Sequence, residues 1–391
     1  MQLLWIIQFL ILIKFFNSKL ILMQKIFQKK SNMFFKIASL FLLVLIFLQA
    51  CKKNPHLPPP VNDFQQVNLV ANNSSYGPIT VDPTLHNGWG IAFAPSGPAW
   101  VSSNGASLSN IYNAAGAILR PPVTIPTNDG SPAGSPTGAI FNGTTGFKLS
   151  NGNPARFIFV GEDGVISGWN GGNAAEIALN DMGAVYKGIT LAMDGGVPFL
   201  YVANFKEHKV DVYDTLWNEV SKPFADPDIP SNYSPFNVQN INGKIYVNYA
   251  EVGEGVDEAA GPGKGIVDVY NPDGSLVKRF VSHGELNAPW GITWTPASFW
   301  GAASTLGNII LVGNFGNGRI NAYTENGSFL GPLRSKGKPI VIDGLWGLSF
   351  APVSATSVNP DWLFFAAGPK DEADGLFGYI TPEAPDMAKS N

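Results

Sequence analysis

Residues Ala288–Trp294 read APWGITW. Two further stretches have the same form, NGWGIAF at Asn87–Phe93 and GLWGLSF at Gly344–Phe350. Each sets a Trp-Gly pair ahead of an alternating apolar run, the pattern of a strand with one buried face. Relaxing the Trp brings in PTGAIFNG around Gly138, YKGITLAM around Gly188 and SPFNVQNI around Asn237. With Gly90, Gly291 and Gly347 these make six positions that recur about every 50 residues, a spacing that belongs to a solenoid, a propeller or another repeat array.

A second pattern follows each mark at a similar offset: AWVSSN, RFIFVGED, FLYVANF, KIYVNYA, NIILVGNF and WLFFAAG. These short β-branched and aromatic runs are the signature of buried strands. A third run ends in a turn, as in GIVDVYNPDG and GRINAYTENG, where Asp-Gly and Asn-Gly supply the positive φ of tight hairpins. A more variable fourth stretch, such as LVKRFVSHG, completes each unit. Composition agrees: 43 Gly, 30 Pro, 26 Phe, 11 Tyr and 10 Trp favour turns and strands over helices. The sequence therefore predicts an all-β, six-bladed β-propeller of four-stranded antiparallel blades. The last unit has room for only three strands, and FQQVNLVAN (Phe64–Asn72) is a strand pattern with no place ahead of the first Trp-Gly. Using this N-terminal strand in the last blade closes the ring and protects its edges.

The blade that starts at Ala288 resembles an NHL repeat, with Pro289, Gly291, Ile292, Asn317, Arg319, Ile320, Tyr323 and Gly327 at the family's positions. Other blades match less fully: Lys209 stands where Arg319 does, and Asn237 replaces the glycine. The resemblance covers about residues 64–383. The chain also resembles a group of bacterial exported propeller lipoproteins that share the VGEDGVISGWN stretch, a resemblance that implies no activity.

The single cysteine, Cys51, excludes an intrachain disulfide. A lysine and an apolar run precede it in MFFKIASLFLLVLIFLQAC, as in a secretory signal. LQAC resembles a bacterial lipobox, which implies cleavage before Cys51 and its lipidation, and so a stable membrane anchor. The expected organisation is an upstream extension outside the native protein (1–22), a lipoprotein signal peptide (23–50), the lipidated Cys51 with a Lys- and Pro-rich tether (51–63), the propeller (64–383) and a tail (384–391). The expected location is the bacterial cell envelope, on the outer membrane's periplasmic face or the cell surface. A net charge of −4 with 14% charged residues leaves no electrostatic footprint for nucleic acid, and a monomer is expected.

In a propeller, ligands meet the loops that enter the innermost strands and leave the second strands. The candidates for binding a small molecule, glycan or protein there are Trp89, Lys187, Trp290, Trp346, Asn104 and Tyr249. The three tryptophans have two readings: a stacking platform for a flat ligand, or packing between adjacent blades, which their recurrence before the same glycine suits. The gluconolactonase superfamily, a more distant resemblance, holds a divalent metal in its channel. By position that resemblance implies Glu162, Asn204, Asn314 and Asp343 as ligands, with Ca²⁺ the candidate ion; the same residue types also serve as ordinary turn caps. His56, His86, His208 and His283 assemble into no metal or catalytic motif, no catalytic residue is identified, and His86 is expected to be an exposed loop histidine. The insertion EVGEGVDEAAGPGKG (Glu251–Gly265) is expected to be a flexible, solvated excursion. The function expected is a lipid-anchored binding module that works at the channel mouth. The alternative is a calcium-dependent hydrolase or lactonase in the channel.

Overall fold

The computed structural model describes residues 63–300 and 308–383. Cys51, His56, the leader, the tether before residue 63 and the tail lie outside the described residues. Among the described residues there is no α-helix, only 3₁₀ turns, and no helix is long and apolar enough to cross a membrane.

Six sheets surround a common axis. Their innermost strands are Gly88–Phe93, Pro136–Phe141, Tyr186–Asp194, Tyr233–Ile241, Pro289–Trp294 and Leu345–Phe350. Each packs against the next, and the sixth packs against the first, so the ring is closed. Phe64–Ala71 pairs antiparallel with Leu376–Pro382 from Phe64 opposite Pro382 to Ala71 opposite Leu376, supplying the fourth strand of the last blade. A short strand, Thr80–Val81, adds a fifth in parallel.

Blade three departs from the expected four strands. It has Tyr186–Asp194, Val197–Asn204 and Lys209–Tyr213, and beyond them only a bridge from Tyr213 to Glu219. The segment that would pair next carries Pro223, Pro227 and Pro230, which lack the N–H a ladder needs.

The apolar residues sort by blade junction. One buried cluster lies between each pair of neighbours; that between blades one and two, for example, joins Trp100 and Ile111 to Phe157 and Trp169. Second strands such as Phe157–Gly161 and Leu363–Ala367 are buried throughout because both of their faces meet a junction.

The repeat glycine has a different role from that of opening a turn. The left-handed residue at the blade entrance comes earlier, at Asn87 (φ 47°), Ala288 (φ 44°) and Gly344 (φ 61°). The later glycine lets neighbouring innermost strands approach. A Cβ on Gly90 would come 2.5 Å from the Thr137 carbonyl oxygen, on Gly138 2.8 Å from the Ile189 nitrogen, and on Gly291 2.7 Å from the Trp346 oxygen. Gly347 meets the Trp89 carbonyl in the same way, and Gly188 meets Asn237. Asn237 itself donates to the Trp290 carbonyl (2.8 Å), so a side-chain hydrogen bond stands at the one junction without glycine contact.

Candidate functional site: the acidic mouth

Every innermost strand slips register against its partner at the same place, at Trp89, Thr137, Lys187, Phe236, Trp290 and Trp346. Bulges of this kind re-aim a side chain. Trp89, Phe236, Trp290 and Trp346 meet in a seventh buried cluster. Trp89 stacks on Trp346 at 3.6 Å between ring centroids, and Trp290 lies edge-on to both at 5.9 and 6.0 Å. Trp89 and Trp290 come from non-adjacent blades, as do Phe236 and Trp346 (5.6 Å), so the cluster lies on the axis. The tryptophans therefore pack neither within one blade junction nor as an open platform: they plug the channel. Polar edges are mostly satisfied, with Trp290 Nε1 donating to the Lys187 carbonyl and Trp346 Nε1 to Asn87 Oδ1, both at 3.1 Å.

The plug leaves a cavity at each end. The one at the exit of the innermost strands is about 340 Å³ and includes Ile91, Ile140, Ile189, Gln239, Ile292 and Trp290 in its wall. The one at the mouth is about 270 Å³ and is formed by Trp89, Trp346, Phe315, Lys187, Glu162, Asp257, Glu258, Asp371 and Glu372.

Lys187 is the centre of the mouth. It is 2% exposed, its Nζ donates to Glu162 Oε1 at 2.6 Å, and Asp257 Oδ1 lies 3.9 Å away. The ammonium also faces the rings of Trp89 (5.3 Å) and Phe205 (5.8 Å), a cation–π arrangement. Burial works to lower its pKa, but the charges of Glu162, Glu258 and Asp257 outweigh burial and raise it. Lys187 is thus held protonated and is no nucleophile at neutral pH.

The carboxylates come from the loops between second and third strands of alternate blades. Blade two gives Glu162, blade four Asp257 and Glu258, and blade six Asp371 and Glu372. The blade-four insertion is a folded flap with an exposed tip at Gly253–Asp257: Gly253 N–H donates to the Asp257 carbonyl (2.8 Å), Ala259 N–H to the Glu251 carbonyl (2.7 Å), and Val252 pairs with Glu258. Val252 packs on the plug, which draws the flap over the mouth. In blade six, Lys370, Asp371 and Glu372 all have left-handed φ (56°, 51° and 66°), a conformation that costs each L-residue roughly 1 kcal/mol. Burial, with the charges of Glu258 and Glu162, raises the Glu372 carboxyl to about 7 despite the opposing Lys187. Glu258 is also raised, by burial first and then by the charges of Asp257 and Glu162, against the opposing Lys187. Glu372 can therefore exchange a proton near neutral pH.

Of the remaining candidates, Asn104 belongs to the mouth, where its Nδ2 donates to Glu162 Oε2 at 2.9 Å. Tyr249 does not. It is buried between blades three and four with its hydroxyl 2.8 Å from that of Tyr270. The four residues assigned to calcium do not converge. Asn204 donates to Glu207 and Asp211, Asn314 accepts from Asn287 N–H and donates to the Glu285 carbonyl, and Asp343 accepts from Lys370 N–H. Only Glu162 lines the mouth, and its ionic partner is Lys187. Among the described residues no group of three or more His, Cys, Asp and Glu side chains is arranged to hold a metal. His86, His208 and His283 each bond a backbone carbonyl. Phe315, Asp371 and Glu372 were missed as site residues, and Asp257 and Glu258 were read as part of a solvated insertion. The usable signal was their common position after a second strand, where PKDEAD (Pro369–Asp374) and GVDE (Gly255–Glu258) stand level with Glu162.

The chain matches no protein-family model. Among solved structures it is similar in fold to virginiamycin B lyase from Staphylococcus aureus (12% identity, 82% of this chain and 99% of that one, TM-score 0.47). It is also similar to a gluconolactonase from Xanthomonas campestris (14% identity, 58% and 82%, TM-score 0.33). Neither likeness bears on function. Among curated proteins it is 34% identical over 343 residues to uncharacterized protein R648 of Acanthamoeba polyphaga mimivirus, covering 84% of this chain and 82% of that one. It is 32% identical over 351 residues to uncharacterized protein L690 of the same virus, covering 84% and 89%. These relatives are viral, not the bacterial exported lipoproteins expected from the sequence. The chain belongs to the family represented by mimivirus proteins R648 and L690.

Proposed function

We propose that this propeller is a binding module whose ligand is a small cation-bearing molecule held at the acidic mouth. One observation carries the reading: three alternate blades set five carboxylates around one pocket that holds a buried lysine above an aromatic floor. A closed ring provides a rigid frame for such convergence, and the plug gives the pocket a bottom. The sign of the field favours cations and repels anions. Lipidation of Cys51 and attachment to a membrane complete the proposal, supported by the lysine, apolar run and LQAC of the leader. Asp63 and Glu383 emerge together on the face opposite the mouth, where Glu383 N–H donates to the Asp63 carbonyl (2.8 Å).

The test is thermal unfolding of the full chain with panels of small cations, neutral solutes and anions. Stabilisation by cations, lost in Glu258→Gln/Glu372→Gln, is expected. Stabilisation by anions, or by cations equally in that variant, overturns the reading.

A further inference from the structure

We infer that the mouth selects a protonated primary amine on a small hydroxylated body, with an amino sugar as the compact example; this rests on the reading of the mouth as the binding site.

The pocket already holds one ammonium, that of Lys187. Its surroundings show what the mouth offers such a group: a carboxylate at 2.6 Å, a second at 3.9 Å, and two aromatic faces within 6 Å. Lys187 neutralises only one of the five carboxylates. Glu258 and Glu372, from the loops of blades four and six, form no ion pair among the described residues, and both are partly buried. A second ammonium brought by a ligand supplies the missing partner, and charge-assisted hydrogen bonds to it are the strong kind.

Two other groups define the rest of the ligand. Trp89 forms part of the floor, is 1% exposed, and its indole Nε1–H has no acceptor among the described residues. An indole N–H can only donate, so the fitting partner is a ligand oxygen, as a hydroxyl provides. Phe315 stacks on Trp346 at 4.0 Å and is only half-buried, so it presents an apolar face for the body of the ligand. The volume of about 270 Å³ lies below the usual range for drug-sized ligands, which restricts the occupant to roughly one ring.

The experiment is calorimetric titration of the full chain at pH 7 with glucosamine, glucose and N-acetylglucosamine as probes. The last two keep the hydroxyls and lack the cationic amine. Glucosamine is expected to bind about tenfold or more tightly than either. Glu258→Gln/Glu372→Gln is expected to erase that preference, and Phe315→Leu to weaken all binding while keeping it; circular dichroism confirms that each variant is folded. Equal binding of the three sugars overturns the amine selectivity while leaving the mouth a binding site. A glucosamine preference unchanged in the double variant places the amine elsewhere and overturns the proposal. No heat from any probe overturns this ligand class, and the cation panel above then decides separately whether the mouth binds cations at all.

Discussion

Lys187 Nζ and Glu162 Oε1 are 2.6 Å apart, yet the two side chains are unequally buried, at 2% and 28% exposure. The pair is therefore asymmetric. Glu162→Gln leaves a buried ammonium dependent on Asp257 and Glu258, and should cost about 1–3 kcal/mol in urea unfolding. Lys187→Met placed in the Glu162→Gln background removes the stranded charge and should recover part of that loss. If the double variant is less stable than the sum of the singles, the pair is not the organising contact of the mouth.

The acidic mouth makes stability fall as pH rises. Glu372 titrates at about 7 in the fold against an ordinary 4.5, because burial and then Glu258 and Glu162 disfavour its charge while Lys187 opposes them. Asp257 adds to the shift, and Asp371 lies in the same pocket wall. The folded state thus holds this proton more tightly than the unfolded chain. Stability is lost between about pH 4.5 and 7, and the penalty is complete above that window. Glu372→Gln should be near neutral at pH 4 and stabilising at pH 8 by on the order of 2 kcal/mol. Denaturant melts at the two pH values check the sign. Asp268, also raised to about 7 by burial against the opposing Arg279, will leave a residual slope in the variant.

Close approach of neighbouring innermost strands predicts that the repeat glycines tolerate no side chain. A Cβ on Gly347 would strike the Trp89 carbonyl, a backbone atom that cannot swing aside. Gly347→Ala should lose about 1–3 kcal/mol. Gly171→Ala, at an exposed position where a Cβ meets nothing within 4 Å, should change stability by less than about 0.5 kcal/mol. Equal effects would remove the steric account.

The axial plug should behave as core. Trp346→Ala removes the ring that stacks on both Trp89 and Phe315 and should cost about 3–5 kcal/mol. Trp89 and Trp290 should then emit at longer wavelength as water enters the axis. Unchanged emission with unchanged stability would show that the rings do not pack across the channel.

The ring, the six blades and the closing N-terminal strand were legible because they are repeated: APWGITW and its relatives record a steric problem solved six times. Tyr249 was misplaced because a strand's period of two fixes which face a residue is on, but not whether that face looks toward a channel or a neighbouring blade. The calcium set was ambiguous for a related reason. Asn204 and Asn314 stand at turn positions where a short amide caps backbone as readily as it binds a cation, and the hydrogen bonds show the capping role. The acidic mouth was hardest to read because Glu162, Glu258 and Glu372 are far apart in the chain. Only the sixfold arrangement, with alternate blades projecting their loops inward, brings them to Lys187.

The most direct test of that convergence is the titration of the Glu372 side-chain carboxyl followed by carbon-13 NMR. A midpoint near 7 that moves down in Glu258→Gln is the predicted result. A midpoint at the ordinary glutamate value near 4.5, indifferent to Glu258, would contradict the assembly of the mouth from alternate blades.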